Sequence, residues 1–112
     1  FETLRAGGTL GGIQIMTPAT RDRAVAFQCE SESDDPVLGK PIRFALGYEL
    51  NNPTFPMGPN PNAFGHWGAG GAFGFADAQS GVAFGYTPNF MHDGLELGPR
   101  GTALVQATFD AL

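Results

Sequence analysis

The sequence is poor in charge and cysteine, and it contains no long apolar run. Only six of its 112 residues are Lys or Arg, against 11 Asp or Glu, which gives a net charge of -5. The basic residues are scattered, so no patch can neutralise a phosphate backbone and we expect no nucleic-acid binding. No apolar run approaches the roughly 20 residues that span a bilayer. The single Cys29 excludes an internal disulfide.

No pattern typical of a metal or phosphate site is present. The acidic segment Glu30–Pro41 lacks the alternating carboxylates of a calcium loop and is predicted to be a solvated loop. His66 and His92 lack a carboxylate motif, and His92 is predicted to lie on a surface loop. Phe73 stands where a dinucleotide fingerprint needs its third glycine, and no Lys-Ser or Lys-Thr pair follows. We therefore expect no metal and no cofactor. The sequence does not indicate a cellular compartment.

The composition is otherwise that of a folded protein. Hydrophobic residues make up 42% of the chain, including ten phenylalanines, which is enough for a core. Charged residues make up 15%, which is less than a fully exposed surface usually carries. We therefore expect part of this surface to be covered by protein outside the sequence, or by self-association at exposed strand edges.

Three helical segments are predicted. Phe1–Ala6 is typical of a last helical turn, because two glycines follow it as a stop signal. Thr17 as N-cap and Pro18 at the first helical position start an amphipathic helix that extends to about Phe27. Thr102–Leu112 has apolar residues at helical spacing and is predicted to pack on a sheet. These residues are Leu104, Val105, Phe109 and Leu112.

The remaining pattern predicts strands and an irregular loop. Gly12–Met16 is predicted to be a short strand or an extended link. Ile42–Leu50 is predicted to be a longer strand that pairs with a glycine-rich strand and has a bulge at its glycine. Asn51–Asn62 contains four prolines and cannot be regular, so it is predicted to be a loop at the surface or beside a pocket. Ala72–Phe75 and Ala83–Tyr86 are near copies separated by turn residues, which indicates a β-hairpin.

The stretch FGHWGAGG at residues 64–71 carries a family resemblance. Together with GFAD at 74–77, GVAFGY at 81–86 and the upstream segment LRAGGTLGGIQIMTPAT at 4–20, it resembles the C-terminal region of serine β-lactamase-like hydrolases. Within them it is most similar to the esterases and peptidases related to class C β-lactamases. The resemblance implies a mixed α+β fold in which helices flank an antiparallel sheet, with residues 1–112 forming the C-terminal segment of one domain.

The same resemblance implies site residues. In this family a K-T-G or H-x-G triplet lies on the strand that borders the active site, and His66-Trp67-Gly68 occupies it here. The family takes one oxyanion-hole amide from the residue after the triplet, which is Ala69. The resemblance thus implies catalytic roles for His66 and Ala69 and substrate contacts for Trp67 and Gly68. A tryptophan in the threonine position implies an aromatic wall for an apolar acyl group.

Two motifs of the family are absent from this sequence. No serine is followed three residues later by lysine, and neither Tyr48 nor Tyr86 begins a Y-x-N triplet. The chain also begins within a helical turn, so we expect a fragment of a parent roughly three times longer, whose N-terminal portion holds both motifs. The expected function is ester or amide hydrolysis of a small molecule through an acyl-enzyme, with this segment inactive alone. The alternative is a non-enzymatic, glycine-rich β module that binds a partner.

Overall fold

A six-stranded antiparallel sheet forms the centre of the computed structural model, which describes residues 1–112. A separate hairpin, β1 and β2, precedes it, and the strands of the large sheet lie side by side in chain order from β3 to β8. The strands are β1 (Thr9–Leu10), β2 (Ile13–Gln14), β3 (Cys29–Glu30), β4 (Arg43–Phe44), β5 (Glu49–Leu50), β6 (Phe64–Trp67), β7 (Phe73–Asp77) and β8 (Val82–Tyr86). The helices are α1 (Glu2–Arg5), α2 (Pro18–Val25) and α3 (Gly98–Asp110). The predicted mixed fold, with helices flanking an antiparallel sheet, is confirmed.

Two apolar clusters cover the two faces of the sheet, because successive side chains of a strand point to opposite faces. The larger cluster packs beneath α3 and includes Trp67, Phe73, Phe75 and Val105. The smaller one packs beneath α1 and joins Leu4, Leu50, Phe64 and Ala76. Because β6 and β7 contribute to both clusters, these two strands are held from both sides.

The predicted hairpin of near copies forms as β7 and β8. Its register pairs Gly74 with Gly85 and Phe75 with Phe84, and Asp77 with Val82 beside the turn. Gly81 closes the turn with a φ of 71°, in the left-handed region that favours glycine. The two near copies in the sequence are therefore the two hydrogen-bonded strands of this hairpin.

Asp77 ties this turn to the proline-rich loop. Its side chain is 1% exposed, and its Oδ1 accepts hydrogen bonds from the Gln79 N–H at 2.9 Å and the Ser80 N–H at 3.2 Å. The side-chain amide of Asn60 donates to Asp77 Oδ2 and to Ser80 Oγ. The loop over residues 51–62 is thus fixed against the end of the sheet.

Asp77→Asn is expected to lower the free energy of unfolding by about 1–3 kcal/mol. The variant replaces one accepting oxygen by a buried NH2 group, which then faces a hydrogen-bond donor. Urea denaturation measures the change. Asp34→Asn in an exposed loop is the matched control and should leave the midpoint unchanged. Equal midpoints for the two variants would contradict the prediction.

Two predicted strand and helix features differ from the structure. Ile42–Leu50 is not one strand with a bulge, because Gly47 adopts a φ of 80° in a turn that separates β4 from β5. The pairing with the glycine-rich strand is nevertheless confirmed, since β5 pairs with β6. Helix α2 begins as predicted, with Thr17 Oγ1 accepting the Thr20 N–H at 3.2 Å. It ends at Val25 and buries no residue, so the expectation of an amphipathic helix is wrong.

The terminal helix starts four residues earlier than predicted, at Gly98. Val105 is buried and Phe109 packs on Phe75, with ring centroids 6.1 Å apart. Leu104 and Leu112, which were predicted to face the sheet, are exposed. The helix therefore contacts the sheet along a narrower stripe than the sequence pattern indicates.

Candidate active site

The end of β6 is where the backbone leaves the sheet. Paired register between β6 and β7 ends at Trp67 and Phe73, and the Gly68 N–H then donates to the Ala72 carbonyl at 2.7 Å. Ala69–Gly71 forms a tight turn, in which Gly70 and Gly71 adopt left-handed φ values of 80° and 93°. Ala69 therefore lies at an exposed corner beyond the ladder.

The amides of this turn have different partners. Gly70 N–H donates to the Gly94 carbonyl at 3.1 Å and Gly71 N–H to the Gly68 carbonyl at 3.2 Å. None of the turn and loop hydrogen bonds uses the Ala69 N–H. An exposed residue whose N–H takes no part in these hydrogen bonds can donate to a substrate oxygen.

A segment that we call the strap, Phe90–Gly94, holds this turn from the outside. Besides the Gly94 contact, the His92 N–H donates to the Gly70 carbonyl at 3.3 Å. A Cβ on residue 71 would come within 2.9 Å of the His92 ring, so the ring lies directly on Gly71. The orientation of the turn thus depends on the strap as well as on β6.

His66 projects from the same strand end and is exposed. Its Nδ1 lies 2.7 Å from the Trp67 carbonyl oxygen. A carbonyl only accepts, so Nδ1 carries the proton and donates. In the neutral ring, Nε2 is then an acceptor that is free to interact with a ligand or a second catalytic group; in the protonated ring it is a donor.

A groove with a floor of glycine lies next to His66. His66 pairs with Gly74, and Gly74 pairs with Gly85, so the three residues form a row across β6, β7 and β8. The groove has a volume of about 440 Å³. At its side, the Phe1 ring sits 2.4 Å from where a Cβ on Gly74 would stand. The glycine at 74 therefore leaves room for the Phe1 ring, whereas the space above Gly85 is open.

The two predicted substrate contacts, Trp67 and Gly68, differ in how deeply they are buried. Trp67 is 7% exposed and stacks on Phe73 with ring centroids 5.2 Å apart, so most of its indole belongs to the core. Gly68 is half-buried, and both residues line the groove. Their substrate contacts stay predictions, and the aromatic wall is restricted to the part of Trp67 that reaches the groove.

Glu49 is a buried carboxylic acid that the sequence analysis missed. It pairs with Gly65 in the ladder and is 3% exposed, and its Oε2 has no hydrogen-bond partner. Burial raises the pKa of Glu49 to about 7, although the nearby His66 and the Trp67 N–H act to lower it. The available signal was a lone acid between Tyr48 and Leu50 in an otherwise apolar run.

His92 is less exposed than predicted. Its Nδ1 donates to the Asp93 carbonyl at 2.9 Å, while its Nε2 is buried without a partner. His92 lies in a partly exposed loop, as predicted, but its ring is packed between Gly71 and Gly98 at the start of α3. The sequence alone does not bring this loop and the glycine-rich turn together.

Other features of the chain are simpler. Cys29 is a free, exposed cysteine. No three His, Cys, Asp or Glu side chains are grouped so that they could hold a metal ion. None of the three helices has the length and hydropathy needed to cross a bilayer.

Proteins similar to this chain are known both by sequence and by structure. No protein-family model matches the chain. It is 34% identical over 94 residues to the esterase/β-lactamase LipL of Mycobacterium tuberculosis, a match that covers 80% of this chain and 20% of LipL. It is 38% identical to a family VIII carboxylesterase, with a TM-score of 0.90, and 37% identical to a penicillin-binding protein homologue from Caulobacter crescentus, with a TM-score of 0.91. Each structural match covers 99% of this chain and 29% of the other chain, so the sequence spans less than a third of these relatives' length.

Proposed function

Because this chain belongs to the serine β-lactamase-like hydrolases, we propose that it supplies the oxyanion-stabilising strand of an ester- or amide-hydrolysing site. The observation that carries the proposal is the exposed Ala69 corner, which lies beyond the last ladder pair and three residues after His66. Membership of a hydrolase family favours this function over the non-enzymatic interaction module.

The Ala69 amide would act when a nucleophile attacks the substrate carbonyl. The carbonyl oxygen then gains negative charge, and an N–H group already aimed at it stabilises the transition state without further reorganisation. The turn is held by two hydrogen bonds to the strap, which keeps this amide in place. In the proposed mechanism a second amide comes from the nucleophile itself.

His66 would serve on the other side of the reacting carbonyl. Its Nδ1 is engaged by the Trp67 carbonyl, so Nε2 is the atom that meets the substrate or a catalytic hydroxyl. A neutral imidazole attracts a carboxylate less strongly than lysine does, which favours simple esters and amides over anionic penicillins. The glycine-floored groove beside it provides room for the substrate.

The nucleophile and base must come from residues outside this sequence, because it contains no S-x-x-K and no Y-x-N. We propose that an N-terminal portion of the same protein supplies them.

We expect the 112-residue polypeptide alone to show no turnover of p-nitrophenyl butyrate. The full-length protein, with an upstream S-x-x-K, should hydrolyse the same ester. Release of nitrophenolate measures both reactions. A full-length variant with that serine replaced by alanine is the control for adventitious hydrolysis. Robust turnover by the isolated chain would refute the proposed division of roles.

A further inference from the structure

Met91 of the strap lies directly against the Ala69 turn. Its Cβ, Cγ and Cε all lie 2.5 to 2.7 Å from the point where a Cβ on Gly70 would stand. Gly70 follows Ala69, and consecutive Cα atoms are about 3.8 Å apart. The methionine side chain therefore packs on the residue that follows the proposed oxyanion donor.

The backbone on both sides of Met91 is anchored. Arg100 Nη2 donates to the Phe90 carbonyl at 2.5 Å, and the His92 N–H donates to the Gly70 carbonyl at 3.3 Å. One side of the thioether chain rests on Gly70, yet the residue is 63% exposed. A large apolar side chain is thus held in a defined place, and residues 1–112 leave its other side uncovered.

We infer that Met91 is a specificity-determining residue that contacts the apolar acyl group of an ester whose carbonyl binds at Ala69. This inference rests on the proposed function. Trp67 is packed into the core, so Met91 is the large apolar side chain that contacts the turn and remains open on one side. An unbranched thioether adapts to flexible chains of different length. We therefore expect Met91 to favour uncharged acyl chains longer than acetyl.

Kinetics on an ester series test the assignment in the full-length protein. Met91→Ala is expected to lower kcat/KM for p-nitrophenyl octanoate about tenfold, mainly through KM, because apolar contact area is lost. Turnover of p-nitrophenyl acetate should stay within twofold, and Met91→Leu should restore the octanoate reaction. Phe90→Ala removes a neighbouring side chain that is 73% exposed and should leave the octanoate-to-acetate ratio unchanged. Equal losses on both esters, or no loss on either, would overturn the inference.

A binding measurement separates this inference from the proposed hydrolysis. Full-length protein is labelled with ¹³C at the methionine methyl groups, and the signal that disappears in Met91→Leu identifies Met91. The neutral ketone 2-nonanone should shift the Met91 signal, whereas acetone should not; buried Met57 is the internal control. A shift without any ester hydrolysis would overturn the proposed function and keep the apolar subsite. No selective shift at Met91 would overturn the subsite, whether or not esters are hydrolysed.

Discussion

Ala69→Pro in the full-length protein is expected to lower kcat for ester hydrolysis by about 100- to 1000-fold, the usual effect of removing one oxyanion-hole donor. Proline lacks the backbone N–H, and little else should change at this position. Residue 69 is the second residue of a four-residue turn that the Gly71 N–H and the Gly68 carbonyl close, with Gly70 at φ 80° and ψ 4°; proline is common at this position of such a turn. Gly68 before it has φ -125° and ψ 156°, an extended conformation that a following proline accepts. The loss should fall on kcat rather than KM, because the amide acts on charge that develops in the transition state.

Ala69→Gly is the matched control for this variant, since it changes the side chain and keeps the amide. It should retain activity within a few-fold of the parent. Thermal unfolding of both variants shows whether the turn is intact, and their melting temperatures should agree within a few degrees. If Ala69→Pro folds normally and remains as active as Ala69→Gly, the amide has no catalytic role.

Glu49 is expected to make the protein less stable as the pH rises from about 5 to 8. Its pKa is about 7 in the folded state, against 4.5 for an unperturbed glutamate, because burial penalises the charged form. Below pH 4.5 the group is protonated in both states and its contribution is complete. Between 4.5 and 7 the unfolded chain releases the proton first, so the free energy of unfolding falls with pH. The loss amounts to about 2 kcal/mol, less than the full shift would give, because solvent near the carboxyl partly screens its charge.

Glu49→Gln isolates this effect, because glutamine has the same shape and does not titrate. Urea denaturation of parent and variant at pH 5, 6, 7 and 8 gives the difference in unfolding free energy. As the pH rises, the unfolding free energy of the variant should increase relative to that of the parent. Glu30→Gln, at an exposed position, controls for the loss of one negative charge. A parent-minus-variant difference that stays constant over this range would contradict a buried, titrating carboxyl.

The parts of the fold that could be predicted are those set by local chemistry. The β7–β8 hairpin follows from two similar strands around Asp77 and Gly81, and the start of α2 follows from Thr17 and Pro18. The resemblance to the family is carried by the triplet at residues 66–68 and the glycines that follow it, because the left-handed φ values of Gly70 and Gly71 favour glycine there. Both the fold and the family membership are confirmed.

The features that were missed depend on contacts distant in sequence. Glu49 is buried because β4 and β6 flank its strand, which an isolated run of residues does not reveal. His92 and Met91 reach the Ala69 turn only because the chain folds back over Gly70 and Gly71. The break between β4 and β5 was missed because a glycine within an apolar run is compatible with either a bulge or a turn, and only the left-handed φ of Gly47 distinguishes them.

The bare floor of the groove has a consequence for altering the ligand that it accepts. A side chain at Gly74 would collide with the Phe1 ring, whereas a Cβ at Gly85 would meet nothing within 4 Å. The backbone of Gly85 is not in the left-handed region, so side chains of graded size can be introduced there without backbone strain. Substitutions at position 85 should therefore narrow the groove in steps without changing the His66 imidazole or the Ala69 N–H.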